Sequence, residues 1–289
     1  MRWRFAVALG AALAAGAAWH WQSGHERGAE FLRAEALEGA DAAFGGISGI
    51  AFDGTGKGYL LSDRGALFGL SRGASGALEI GPAHRLSDAQ GRPLPRPRRD
   101  SEGLAALPGG RLAVSFEWRH RVEIFGPDGR SVSVLPLPEA FAALGSNAGL
   151  EALAVDGAGR LLAIPERSGA ARRPFPVLVH DGTWREARLP RRGAFLPVGA
   201  DFGPEGRLYL LERDYLLGGF RSRIRRFDWD GAALSEEEEI LKTRFFRHGN
   251  LEGIAVYKSG AETLIDMVSD DNFLPIQRGA LVRYRLKTP

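Results

Sequence analysis

Five stretches of this chain can be laid over one another. They are SGIAFDGTGKGYLLSDR (Ser48–Arg64), EGLAALPGGRLAVSFE (Glu102–Glu117), EALAVDGAGRLLAIPER (Glu151–Arg167), VGADFGPEGRLYLLER (Val198–Arg213) and EGIAVYKSGAETLIDMVSDD (Glu252–Asp271). Each reads as a short strand of small apolar residues, a turn carrying Gly, Asp or Pro, and a second apolar strand. Aligned on the small residue after the first position (Gly49, Gly103, Ala152, Gly199, Gly253), the copies are spaced by 54, 49, 47 and 54 residues. A period near fifty built from hairpins is the signature of propeller blades. Further strands follow within each period, such as VEIFGP after Arg121 and RIRRFDW after Ser222. About four strands per unit result, as a blade requires.

The expected fold is therefore an all-β propeller of five countable repeats. A sixth, degenerate blade has room only between Gly65 and Arg99. The chain finishes in GALVRYRL (Gly279–Leu286), and EFLRAEAL (Glu30–Leu37) precedes the first repeat. These segments predict a ring closed by N- and C-terminal strands sharing one blade. Composition agrees: 39 glycines and 16 prolines in 289 residues suit many turns and would break a helical bundle.

Two regions are expected. Residues 1–29 read as a signal peptide or membrane anchor, because Arg2 and Arg4 precede the alanine-rich apolar run Phe5–Ala18. The expected location is periplasmic or secreted; if the segment is retained, Trp19 and Trp21 anchor it at a membrane interface. Residues 30–289 form the propeller domain, expected to be a monomer. A net charge of +3 without a basic helix gives no case for nucleic acid. The absence of cysteine excludes disulfides, thiolate metal sites and a Cys nucleophile.

Hairpin geometry brings the start of each first strand and the end of each second strand to the same edge. The repeats therefore converge Asp63, Glu102, Glu117, Glu151, Glu166, Glu212, Glu252, Asp270 and Asp271 on one rim of the central channel. Asp201 stands inside its first strand, where other copies have alanine. Like charges at close range cannot all ionise unless cations compensate. An oxygen-only donor set favours a hard cation such as Ca²⁺, and Glu102, Glu151, Asp201 and Glu252 are the expected ligands. The alternative is that these acids serve blade-to-blade hydrogen bonds and ion pairs.

Glu102, Glu252 and His248 are the candidate catalytic groups, with His120 also near the rim. Arg99, Arg167 and Arg213 are the candidate binders of an anionic group. Gly69-Leu70-Ser71-Arg72-Gly73 has the letters of a nucleophile elbow, but no helix follows it. The run Ser235–Ile240 (SEEEEI) reads as a solvated edge.

The segments GGISGIAFD, SEGLAALPGGRLAVSFE, GLEALAV, LYLLERD and NLEGIAV…VSDDNF…Q resemble the bacterial phytase-like propeller family, named for an esterase-like activity of phytase. The resemblance covers nearly the whole chain after residue 30. It implies an exported propeller that hydrolyses phosphoesters or carboxylesters with metal assistance, acting on a small anionic or ester substrate. Two departures stand out. Phe116-Glu117-Trp118 replaces a common Asp-Glu-Tyr, and Val198 replaces a polar rim residue. A non-catalytic ligand- or partner-binding propeller and a lactonase-like sugar enzyme are the competing readings.

Overall fold

Twenty strands and one 3₁₀ turn, Arg96–Arg98, make up the regular structure of the described residues. The computed structural model of the chain describes residues 24–117, 120–138, 141, 149–271 and 279–287. The expected leader falls mostly on residues 1–23, outside this set, as do Trp118 and the Asn272–Gln277 part of the VSDDNF…Q segment.

The strands form five four-stranded antiparallel sheets. Blade 1 holds β2 (Ile47–Phe52), β3 (Gly58–Ser62), β4 (Ala66–Arg72) and β5 (Leu78–Arg85). Blade 2 holds β6 (Ser101–Leu107), β7 (Arg111–Phe116), β8 (Arg121–Phe125) and β9 (Ser131–Pro136). Blade 3 holds β10 (Ala152–Val155), β11 (Leu161–Ile164), β12 (Phe175–His180) and β13 (Trp184–Leu189). Blade 4 holds β14 (Leu196–Phe202), β15 (Leu208–Leu216), β16 (Gly219–Trp229) and β17 (Leu234–Lys242). Blade 5 runs from β18 (Asn250–Ser259) through β19 (Glu262–Asp270) and β20 (Ala280–Leu286) to β1 (Ala29–Ala36), so both ends of the chain close it.

There is no sixth blade in the Gly65–Arg99 stretch. Its first half supplies β4 and β5, the outer strands of blade 1. The rest is a loop anchored by Leu86 and Leu94 in the apolar cluster between blades 1 and 2. Residues just before β1 also join the ring: His25 bridges Lys242, and the Gly28 amide bonds to the Ile240 carbonyl.

Five apolar clusters hold the molecule together, one at each interface between neighbouring blades. The second strands are buried along most of their length, and wholly in β3 and β11, whereas outer strands such as β9 are mostly exposed. Residue size follows distance from the axis, where five inner strands crowd together. A Cβ on Gly103 would lie 2.7 Å from the Glu151 carbonyl oxygen; on Gly199 it would lie 2.7 Å from that of Glu252. This crowding accounts for the glycine or alanine at the second position of every repeat.

Candidate functional site

The rim is built by β-bulges. In β2, β6, β14 and β18 the pairing register shifts around the residue preceding the axial glycine. Bulges re-aim side chains and are frequent beside active sites. The residues at this position around the ring are Ser48, Glu102, Glu151, Val198 and Glu252. A second tier comes from the ends of the second strands. Asp63, Glu117 and Glu166 bond their amides to the Gly46, Asp100 and Gly149 carbonyls, while Asp270 pairs with Asn250. In blade 4 the same register, opposite Leu196, belongs to Arg213. Seven carboxylates and one arginine thus occupy ten equivalent rim positions.

Arg213 is consumed by its neighbours. Its Nη1 donates to Glu252 Oε1 at 2.6 Å and Asn250 Oδ1 at 2.5 Å, and Nη2 donates to Glu166 Oε1 at 3.2 Å. Asn250 Nδ2 donates to the same Glu252 oxygen at 2.8 Å. Expected as a substrate-binding cation, Arg213 is instead a counter-ion that orients Glu252. Arg167 is mostly exposed and lies 3.4 Å from Glu166. Arg99 is half-buried beside Gly65 in the loop leading to Asp100, and its side chain makes no ion pair among the described residues.

The remaining acids are crowded. Asp100, Glu102 and Glu117 each offer a carboxylate oxygen, and these atoms all lie within 4.8 Å of one another. A Cβ on Gly149 would fall 3.2 Å from Glu151 Oε1 and 3.5 Å from Glu117 Cγ, so both side chains close on this glycine. Asp63 Oδ1 is buried with no hydrogen-bond partner.

Burial and mutual repulsion disfavour the charged forms. Burial, with Glu151 and Glu252 nearby, holds Glu102 well above the usual carboxylate range. Burial beside Glu166 and Glu252 pushes Glu151 up to about 8, partly opposed by Arg213. Glu252 reaches about 7 through burial, with Arg213 opposing and Asp270 adding to the rise. Asp63 reaches about 7 through burial next to Asp270. Burial and Asp100 also raise Glu117.

Of the four expected metal ligands, Glu102 and Glu151 belong to this crowded sector, and Glu252 belongs to the rim but is engaged by Arg213 and Asn250. Asp201 does not share the rim. It lies near the turn of the β14–β15 hairpin, opposite Tyr209, at the far mouth of the channel. There it lines a cavity of about 460 Å³ with Phe52, Val155 and Tyr257. Its Oδ2 accepts the Val256 amide of blade 5 at 2.7 Å, and its Oδ1 accepts the Phe202 amide at 2.8 Å. It is a clip between blades, which is why a carboxylate stands where other repeats carry alanine.

His248 is also elsewhere. Its Nε2 lies 2.7 Å from Tyr284 Oη, and its ring stacks on Phe31 at 5.6 Å, between strands β20 and β1. Burial there depresses it to about 4, so it is neutral at pH 7. Glu212 turns away from the channel into blade 4, where its Oε2 accepts from Arg223 Nε at 2.6 Å and its Oε1 from Arg225 Nη2 at 2.7 Å. Asp100, absent from the expected ligands, was detectable: it stands two residues before Glu102, and alternate residues of an extended chain share a face.

A family model described as "Phytase-like: Esterase-like activity of phytase" matches residues 42–273. No curated protein matches the chain. Among solved structures, the chain is similar to a PQQ-bound aldose sugar dehydrogenase from Streptomyces coelicolor, with 12% identity, 92% of this chain and 100% of that one covered, and a TM-score of 0.49. It is similar to a gluconolactonase from Xanthomonas campestris, with 13% identity, coverage of 93% and 87%, and a TM-score of 0.48. A virginiamycin B lyase from Staphylococcus aureus gives 10% identity, coverage of 88% and 99%, and a TM-score of 0.47.

Proposed function

The chain belongs to the phytase-like family, and on that premise we propose that its carboxylate rim is the active site of a metal-assisted hydrolase of phosphoesters or carboxylesters. The observation that carries this reading is the convergence of Asp100, Glu102 and Glu117 within 4.8 Å. Glu151 and Glu117 also close together on Gly149, within 3.2 and 3.5 Å of where its Cβ would be. Buried like charges need a proton or a cation to be stable. The donors are all oxygen, as a hard divalent cation such as Ca²⁺ requires. Asp100, Glu102 and Glu117 would hold the ion, with Glu151 beside them. When bound, such an ion supplies a Lewis acid for an ester or phosphoryl oxygen.

The chain's own groups then divide the remaining work. Glu252, pushed up to about 7 and fixed by Arg213 and Asn250, is poised to take and return a proton near neutral pH. Glu166 holds the other side of Arg213 and keeps the guanidinium from turning toward substrate. Arg99 and Arg167 border the same rim and supply positive charge for an anionic group.

The test is turnover of p-nitrophenyl phosphate, p-nitrophenyl acetate and a sugar lactone, each in millimolar Ca²⁺ and in EDTA. Hydrolysis of at least one class in Ca²⁺ only is expected. Glu252→Gln should lower kcat by about 10²- to 10⁴-fold, and Glu102→Gln should abolish the Ca²⁺ dependence. Turnover that survives both substitutions removes the assigned roles. Absence of turnover in every class, with the fold intact, leaves a binding propeller.

A further inference from the structure

Blade 4 carries a hairpin unlike the others. In blade 1 the second and third strands part at the rim, with Ser62 paired to Ala66. In blade 4 the ladder continues past Arg213 through Asp214 with Arg221, Tyr215 with Phe220, and Leu216 with Gly219. Of the seven large hydrophobic side chains exposed among the described residues, four cluster here: Tyr215 (60%), Leu216 (39%), Leu217 (78%) and Phe246 (57%). A ridge of this kind marks an interaction surface rather than ordinary scatter.

Its backbone is equally unusual. Leu217 and Gly218 are the two central residues of the turn, with φ of 49° and 81°. A two-residue turn with both φ positive strongly prefers Asn, Asp or Gly at its first position. Leucine there is strained and gains nothing from burial. Phe246 also has a positive φ, 63°, and its ring covers Gly219 so closely that a Cβ has no room. Strain kept at exposed apolar residues points to use. The ridge is also held rigidly. Arg221 donates from Nε to Asp214 Oδ2 at 2.9 Å, and its guanidinium lies over the Phe245 and Phe195 rings at 4.5 and 5.0 Å.

The ridge is continuous with the carboxylate rim. Tyr215 packs on Phe220 at 4.9 Å, and Phe220 lies 5.7 Å from the guanidinium of Arg213, which grips Glu252 and Glu166. We infer that Tyr215, Leu216, Leu217 and Phe246 form a shelf that takes the hydrocarbon part of the substrate, making the substrate an amphiphilic ester with an aliphatic or aromatic group. This rests on the hydrolase reading of the rim. The ester linkage sits among the acids while its apolar portion leaves along the blade 4 hairpin, out of water.

The test uses the full chain, with p-nitrophenyl esters of two to twelve carbons for kinetics. n-Alkyl phosphonates of two to ten carbons report binding by calorimetry. In the unsubstituted protein, KM and the phosphonate Kd should fall with tail length, by up to about fourfold per methylene buried. In Leu217→Gly the turn is relaxed, so the melting temperature should hold or rise while the slope shrinks. In Tyr215→Ser/Leu217→Ser the slope should go flat. A slope absent from the unsubstituted protein, or retained in the double variant, overturns the shelf. If no ester is hydrolysed yet phosphonate affinity rises with tail length and the double variant loses that rise, the shelf stands and the hydrolase reading falls. A concentration-dependent dimer that the double variant dissolves, without any tail dependence, makes the ridge a contact between copies and overturns the inference.

Discussion

A single methyl group separates an axial position from an ordinary one. Gly103→Ala places a Cβ 2.7 Å from the Glu151 carbonyl oxygen and 2.8 Å from Ser115 Oγ, which donates to the Leu150 carbonyl. Backbone on one side and a committed hydroxyl on the other leave nowhere to yield. The expected loss is about 1–3 kcal/mol of unfolding free energy in urea titrations. Gly69→Ala, with nothing within 4 Å of the new Cβ, serves as the control and should change stability little. Glu212 is the opposite case, a residue whose removal leaves a debt. Arg223 and Arg225 are both buried against it, so Glu212→Ala strands two guanidinium groups that Glu237 and Glu239 reach only in part. A loss of about 3–5 kcal/mol is expected by the same titration. Stability within 1 kcal/mol of the unsubstituted protein would show that the pair is not buried as described.

At the scale of strands and hairpins, the repeat period and turn residues made the five hairpins legible, and the segments Glu30–Leu37 and Gly279–Leu286, left over before the first repeat and after the last, made the shared blade legible. The site was legible only in outline. Glu212 was expected beside Glu117 and Glu166, but those two, like Asp63, stand fourteen residues after their axial Ala or Gly, and fourteen residues after Gly199 is Arg213, which pairs with Leu196 at the rim. A one-residue slip exchanges the faces of a strand, so Glu212 turns into the blade; the count of residues in the repeat carried this. Asp201 misled for a different reason. A carboxylate near the axis had no packing role in the sequence, because its partner is the backbone amide of Val256 in the next blade. His248 sits four residues from Glu252 in the chain but turns outward to Tyr284. The clip makes its own prediction. Asp201→Ala frees the Val256 and Phe202 amides and should cost about 1–3 kcal/mol, measured by chemical denaturation. An unchanged midpoint would remove Asp201 from the blade 4–5 interface.

For the whole molecule, buried carboxylates dominate the response to pH. Asp63, Glu151 and Glu252 on the rim have folded values of about 7, 8 and 7, and burial raises Asp201 at the far mouth to about 7, against unfolded values near 4. The native state therefore binds more protons than the unfolded chain between these limits. Their stabilising contribution is complete below about pH 4 and is lost as pH rises through 7 to 8. Paired outer carboxylates act in a lower window: hydrogen bonding from Arg72 holds Glu35 at about 2, so its contribution is lost only in acid. In the proposed function, a divalent cation at Asp100, Glu102 and Glu117 would replace protons as the compensating charge, which would link ion binding to proton release. The most direct measurement is the melting temperature from pH 5.5 to 8.5, once in EDTA and once in millimolar Ca²⁺. The rim described here predicts a fall with rising pH in EDTA that Ca²⁺ suppresses, and a loss of the Ca²⁺ effect in Glu102→Gln. A melting temperature that is level or rising across that range in EDTA, and indifferent to Ca²⁺, would contradict it.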